Sequence, residues 1–295
     1  MVKDTGRDRA FMFIVNAILA FVMIVTMYPF ILIISYSFSN AVDVMTNRVW
    51  LLPVRPNLEA YKAVFESGDV IRGYLNSILY TVGCTFFATS STLLAAYPLS
   101  RPDLRSRNIL MGFVMVTMFF SGGLVPTYIL VGKLGLTNTR WILIIGGVTA
   151  YNIIITRTFF QQTIPKEMLE AAQIDGCGDF HFFIQMVLPL SKAIIAVIAL
   201  YVAVSRWNGY LDALMYMNDK KLYPLQLILR EILIMNKPDN SMFGNINASD
   251  VLARQQRAEL LKYALIVVSS IPMLVIYPFV QKYFIKGVMI GAIKG

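Results

Sequence analysis

Arg157, Arg206 and Asp212 are ionisable residues that fall inside or at the ends of long apolar runs. Charge in hydrocarbon costs roughly 3 kcal/mol or more, so such residues are candidates for a solute or ion pathway by default. Arg157 and Arg206 also have stems long enough to snorkel to an interface, and both readings stay open for them. Trp207, Asn208, Tyr210 and Asp212 follow an apolar core at one end of its run. Aromatic faces beside an amide and a carboxylate are the mixed lining expected of a sugar site. The same residue types also anchor helices at a bilayer interface or bond to neighbouring helices. Other chemistry is missing from the sequence. There is no G-x-x-x-x-G-K-[ST] phosphate loop, no G-x-S-x-G and no H-E-x-x-H. A single histidine, His181, cannot form a zinc cluster. The two cysteines, Cys84 and Cys177, fall in an apolar segment and a polar one, so they are expected to stay unpaired and inert. These absences argue against an enzyme and against an ATPase of the phosphate-loop kind.

The composition indicates what kind of scaffold holds these residues. Of 295 residues, 57% are hydrophobic and 15% charged, and mean hydropathy is +0.63. A soluble domain of this length carries more charge. The apolar residues come in blocks that reach the roughly 20 residues needed to cross a bilayer. The expected fold is therefore all-α: one polytopic membrane domain, with no room for a second soluble domain. The net charge of +9 suits loops facing anionic lipid. No aromatic–basic stripe suggests nucleic acid.

One polar stretch looks built rather than merely connecting: Glu167 to Pro189, EMLEAAQIDGCGDFHFFIQMVLP. Pro165 suits the first turn of a helix, and Glu167 complements its positive end. Met168, Ala171 and Ala172 share a face. Gly176 can stop the helix in a left-handed conformation. Asp179 can cap a second short helix, with His181 on its surface and an apolar stripe of Phe180, Phe183, Ile184 and Val187. Leu188-Pro189 opens the next apolar run.

This stretch resembles the EAA loop of ABC importer permeases. The family pattern is Glu-Ala-Ala, three residues, Gly, nine residues, Ile, any residue, Leu-Pro. Glu170-Ala171-Ala172, Gly176, Leu188 and Pro189 keep its register, and Met186 stands where Ile is usual. The segments YNIIITRTFFQQTIPKEMLEAAQIDG and GGLVPTYILVGKLGLTNTRW also resemble the carbohydrate branch, of the maltose-type MalG-like and LplC/YtcP-like kind. The resemblance runs from about Phe11 to the C-terminus. It implies that Glu170, Ala171, Ala172, Asp175, Gly176, Leu188 and Pro189 couple the membrane part to an ATPase. It implies a heterodimer with a second, related permease, two ATPase subunits carrying ATP and Mg, and an extracytoplasmic solute-binding protein. No cofactor is expected on this chain itself. The implied cargo is a sugar, an oligosaccharide above all. The alternatives are an ABC permease for a non-sugar solute, or an ion-coupled secondary transporter. The last would favour repeats with broken helices and a midplane carboxylate, and neither is visible in the sequence.

Taken in order, the chain reads as a cytoplasmic tail (1–10), a permease domain (11–285) and a cytoplasmic tail (286–295). The expected spans are 11–38, 74–99, 108–131, 141–160, 190–217 and 262–284, with the EAA loop at 164–189. The first is too long for a signal-peptide core and reads as uncleaved. The second is rich in small and hydroxyl residues, which allow close helix packing. The third is interrupted by Gly122-Gly123 and Pro126. Ser39 to Gly73 reads as a polar loop. Lys and Arg counts do not settle orientation, because both Arg101–Arg107 and the long loop after the fifth span are basic. The resemblance does, by placing the EAA loop and both termini in the cytoplasm of a bacterial plasma membrane. In the long loop, Leu225, Leu227 and Ile228 belong to an amphipathic run too short to span. The maltose-type resemblance makes them candidates for contact with the binding protein.

Overall fold

The computed structural model describes residues 6–235, 259, 261–278 and 281. Among these, every regular element is helical. The chain divides into two compact units, Met1–Ile71 with Leu229–Ser270 and Arg72–Ile228 with Ile271–Gly295.

The first unit is built on α1 (Gly6–Ser37), whose most apolar stretch is not buried at all within the chain. A 32-residue apolar helix with mean hydropathy 2.7 over its most apolar window is long and apolar enough to cross a bilayer. Pro29 lies inside it without ending it. Burial begins only at its last turn, where a polar knot forms. Ser35 Oγ donates to the Leu51 carbonyl at 2.6 Å, Ser39 Oγ to the Ser35 carbonyl at 2.7 Å, and the Val54 N–H to Ser39 Oγ at 3.1 Å. The expected loop Ser39–Gly73 is thus largely structured, carrying α2 (Ala41–Met45) and α3 (Glu59–Glu66). Asp43, almost fully enclosed, accepts from Arg55 Nε at 2.8 Å and Nη2 at 2.5 Å. That two-pronged bond satisfies a carboxylate that would otherwise be costly to bury, and it holds the carboxyl below its usual range.

The second unit is organised around α4 (Gly68–Ser100), whose first residues belong to the first unit. At 1.5 Å per residue it is about 50 Å long, well beyond the roughly 30 Å of a hydrocarbon core. Its small residues do bring helices close: Cys84, Ala88, Thr92 and Ala96 are fully buried. Next come α5 (Arg107–Phe119) and α6 (Leu124–Lys133), which meet at 115°. Gly123 at φ +80° makes the corner, a conformation that favours glycine. The expected third span is therefore a sharply bent pair.

The fourth span is broken too. It consists of α7 (Trp141–Ile145) and α8 (Ala150–Thr163), separated by four non-helical residues. After it come α9 (Lys166–Ile174) and α10 (Asp179–Phe182), a π-helical turn (Phe183–Val187), and α11 (Leu188–Leu190). Then α12 (Lys192–Asn208) departs at 81° to the preceding segment. The fifth helix ends at Asn208, short of the expected 217, and α13 (Leu211–Tyr216) is separate. Beyond it, α14 (Leu225–Met235) occupies the start of the long loop, and α15 (Leu261–Pro278) is the described part of the last span.

The main core of the second unit joins Leu93, Ala96 and Leu99 of α4 to Met111 of α5. It continues through Phe160 of α8, Phe182, Phe183 and Val187, and Ile198 of α12. By length and hydropathy, α1, α4, the α7–α8 segment and α15 can each cross a membrane, and the two bent pairs raise the number to six.

Candidate functional site

The loop between the fourth and fifth spans has the helix–turn–helix form expected of it. Pro165 is the residue just before α9, at φ −62°, and so sits one position earlier than a first-turn proline. The helix ends as a Schellman motif. The Cys177 N–H donates to the Ala172 carbonyl at 2.8 Å and the Gly176 N–H to the Gln173 carbonyl at 3.1 Å. Gly176 takes the left-handed conformation, φ +76°, that this motif requires. The apolar face of α9 is Met168, Leu169 and Ala172, packed on the core; Ala171, expected to share it, is exposed. Glu167, Glu170, Ala171 and Asp175 lie on the open side, and Ile174 is 86% exposed.

The second half differs from its expected pattern for a physical reason. Phe183 and Val187 are buried, but Phe180 and Ile184 are exposed, and Phe182 is buried in their place. The π-helical turn is wider than an α-turn, which rotates the stripe. Leu188 packs partly against the core while Pro189 is exposed. Asp179 does not cap α10, for Gly178 is the cap residue. Asp179 instead accepts a 2.8 Å bond from Arg101 Nη1. Arg101, just beyond α4, also donates to Tyr97 Oη at 2.9 Å and twice to Asp103, at 2.8 and 2.7 Å. These bonds satisfy a guanidinium that is only 9% exposed, and they hold the Asp103 carboxyl below its usual range. Arg157, one of the residues in an apolar run, donates to the Leu99 carbonyl at 3.0 Å. It closes the C-terminal end of α4, where carbonyls lack helical partners. The ends of α4 and α8 and the loop are thereby tied together.

A second feature lies at the break between α7 and α8. Gly147 has φ +92°, and a Cβ there would meet Cys84 Sγ at 2.9 Å and Ala88 Cβ at 3.3 Å. Only glycine lets the non-helical backbone pass so close to α4. Cys84 Sγ in turn donates to the Gly146 carbonyl at 3.3 Å. Beside the break is a cavity of about 380 Å³, lined by Thr149, Tyr151 and Asn152 at the start of α8 and by Tyr201, Ser205 and Arg206 of α12. Arg206, 12% exposed, donates to Asp212 Oδ2 at 3.0 Å. The other residues singled out in this region lie elsewhere. Trp207 is buried with its ring edge-on to Tyr74, centroids 5.6 Å apart. Asn208 Nδ2 donates to the Val204 carbonyl at 3.0 Å, and Tyr210 is 41% exposed. Of that group, only Asp212 is brought to the cavity's edge, through Arg206. The signal that sequence reading missed was Gly146-Gly147 in the middle of an apolar run.

Two of the three residues expected to meet a binding protein are enclosed by their own unit. Leu225 and Leu227 have no exposed surface. Leu227 packs with Tyr80, Leu143 and Met217, while the Leu225 N–H donates to Ser77 Oγ at 2.8 Å. Ile228 is half-buried at Gly73. Leu225 and Leu227 hold α14 to α4 and present no surface to a partner, whereas Ile228 stays partly exposed.

Comparison with known proteins agrees with this arrangement. Residues 88–290 match the family of binding-protein-dependent transport system inner membrane components. The chain belongs to that family, and it is a membrane-embedded permease subunit rather than an enzyme. It is 38% identical, over 98% of its length and 100% of the relative's, to the polygalacturonan/rhamnogalacturonan transport system permease protein YtcP of Bacillus subtilis. It is 39% identical to the protein LplC of the same organism, over 92% of this chain and 90% of the other. Its fold matches a chain in the crystal structure of a bacterial ABC transporter involved in the import of the acidic polysaccharide alginate. The TM-score is 0.86 at 33% identity, covering 96% of this chain and 100% of that one.

Proposed function

We propose that this chain is one of two permease subunits of an ATP-driven importer that carries an oligosaccharide into a bacterial cell. The observation that carries this reading is α9: a short helix with a fixed glycine turn, its inner face seated on the core and its outer face open. An exposed Ile174 and Ala171 beside Glu167 and Glu170 suit a groove with apolar walls and a basic rim. In this reading the groove belongs to an ATPase subunit, which binds ATP and Mg; this chain binds neither. Motion enters through α9 and passes to α4 by way of Asp179 and Arg101. The polysaccharide transport systems to which the relatives belong support a saccharide as cargo. An extracytoplasmic binding protein delivers it.

Orientation follows from the same reading. The loop 164–189 and both termini face the cytoplasm, and 39–73, 133–140 and 218–261 face outward. Much of that last loop, including 236–258, lies outside the described residues. Copurification from native membranes with mass identification of the partners tests the assembly. A related permease, an ATPase and a saccharide-binding protein are the expected companions. Recovery of the chain without an ATPase would contradict it.

A further inference from the structure

The cavity beside the α7–α8 break is more than a packing defect. Non-helical backbone at membrane depth is tolerated where it is buried in protein or lines a polar, water-filled space, and discontinuous helices are where transporters place their solutes. At about 380 Å³ the cavity is within the roughly 300–1,000 Å³ range of ligand sites. Its polar groups differ in kind. Asn152 is 94% buried, being 6% exposed, and its side-chain amide has no hydrogen-bond partner among the described residues. The amide is not sealed off from solvent but opens on the cavity, so it is free to pair with a polar group that enters. Thr149 Oγ is committed to the Asn152 N–H at 3.2 Å, so the first turn of α8 is fixed with its positive end beside the cavity.

Arg206 supplies the charge. Gly146 leaves the room its guanidinium occupies, since a Cβ there would lie 2.8 Å from Arg206 Nη2. Its counter-ion Asp212 is 51% exposed against 12% for Arg206. Solvent can therefore take up Asp212 more readily than Arg206, and an incoming anion can replace it. A guanidinium is the side chain best shaped to take a carboxylate by two parallel bonds. Tyr151 and Tyr201, 53% and 44% exposed, offer ring faces beside it.

Resting on the oligosaccharide reading above, we propose that this cavity is a solute subsite for the carboxylated ring of an acidic oligosaccharide. Arg206 takes the carboxylate, Asn152 a ring hydroxyl, and Asp212 is the counter-ion displaced as the sugar enters.

The test is uptake by the complete importer in proteoliposomes, with its own binding protein, of trigalacturonate and of neutral galactotriose. Arg206→Gln is expected to lower kcat/KM for trigalacturonate at least about tenfold relative to galactotriose, the loss of a charge-assisted bond. Arg206→Lys retains part of the preference. Asn152→Asp, which changes shape little, is expected to produce the same selective loss by placing a rival carboxylate in the cavity. Asp212→Asn is expected to keep or improve trigalacturonate uptake, whereas a merely structural Arg206–Asp212 pair predicts that it fails like Arg206→Gln. Parallel loss of both sugars in Arg206→Gln and Asn152→Asp would overturn the subsite while leaving the importer reading intact. A wild-type complex that carries neither sugar would overturn both.

Discussion

Arg101, just beyond the end of α4, holds Asp179, the first residue of α10, at 2.8 Å. The cation is 9% exposed and the anion 69%, so the bond joins an enclosed post to an open surface element. Asp179→Asn keeps a neutral acceptor. It is expected to cost less than about 1 kcal/mol in stability, as exposed pairs do, while lowering transport per ATP hydrolysed. Arg101→Ala strips three partners at once and is expected to cost about 2–3 kcal/mol. Thermal unfolding in detergent, read beside coupled uptake in proteoliposomes, separates the two effects. An Asp179→Asn protein with wild-type coupling would remove this contact from the transmission path.

Gly176 makes a second prediction. Nothing lies within 4 Å of a Cβ built there, so any penalty inside this chain comes from its positive φ. A β-branched residue pays on the order of 1–2 kcal/mol in that region, and Asn pays less. Gly176→Val is expected to insert normally but to lose substrate-stimulated ATP hydrolysis, and Gly176→Asn to retain most of it. Equal activity of the two variants would show that the turn does not matter.

Gly147 is constrained by space as well as by φ. Gly147→Ala is expected to lower stability by about 2–3 kcal/mol, from overpacking together with left-handed strain. Adding Cys84→Ala removes the nearest obstructing atom and is expected to restore part of that loss, leaving the strain. A double-mutant cycle of thermal unfolding measures the coupling, and simple additivity would contradict the close crossing.

The depressed Asp103 carboxyl gives a pH dependence with a definite sign. Its bond from Arg101 favours the ionised form. The stability it contributes is present above the unfolded value near 3.9 and is lost as pH falls through the lower folded value. The effect is confined to below about pH 4, and it stays under about 1 kcal/mol because Asp103 is 57% exposed. Asp103→Asn is expected to lack this acid-sensitive component when melting is followed from pH 6 to pH 3.

The helical membrane fold and the glycine turn after α9 were legible in the sequence because each rests on a strong local rule. Apolar run length reports membrane depth, and the spacing that ends in Gly176 reports a left-handed turn. Backbone continuity was not legible in the same way. Hydropathy sees Trp141–Thr163 as one apolar stretch and is blind to the break at Gly146-Gly147. Periodicity marks Leu225, Leu227 and Ile228 as an amphipathic run but cannot say which neighbour covers its apolar side. The π-helical turn escaped for a related reason, since a period of 3.6 was assumed where the local turn is wider. Arg206 stood out as a charge in an apolar run. Its placement beside Asn152, more than fifty positions away, depends on helix packing that no local pattern encodes.

The most direct measurement concerns the outer face of α9. In a Cys177→Ser background, Ala171→Cys places one thiol on the exposed side of that helix. Short-span cross-linking in the purified complex is predicted to join it to the ATPase subunit, with a yield that changes when nucleotide is bound. An impermeant thiol reagent added to intact cells is predicted to leave it unlabelled. Labelling from outside the cell, or a fully assembled complex in which residue 171 never cross-links to the ATPase, would contradict the assignment of this loop as the coupling element.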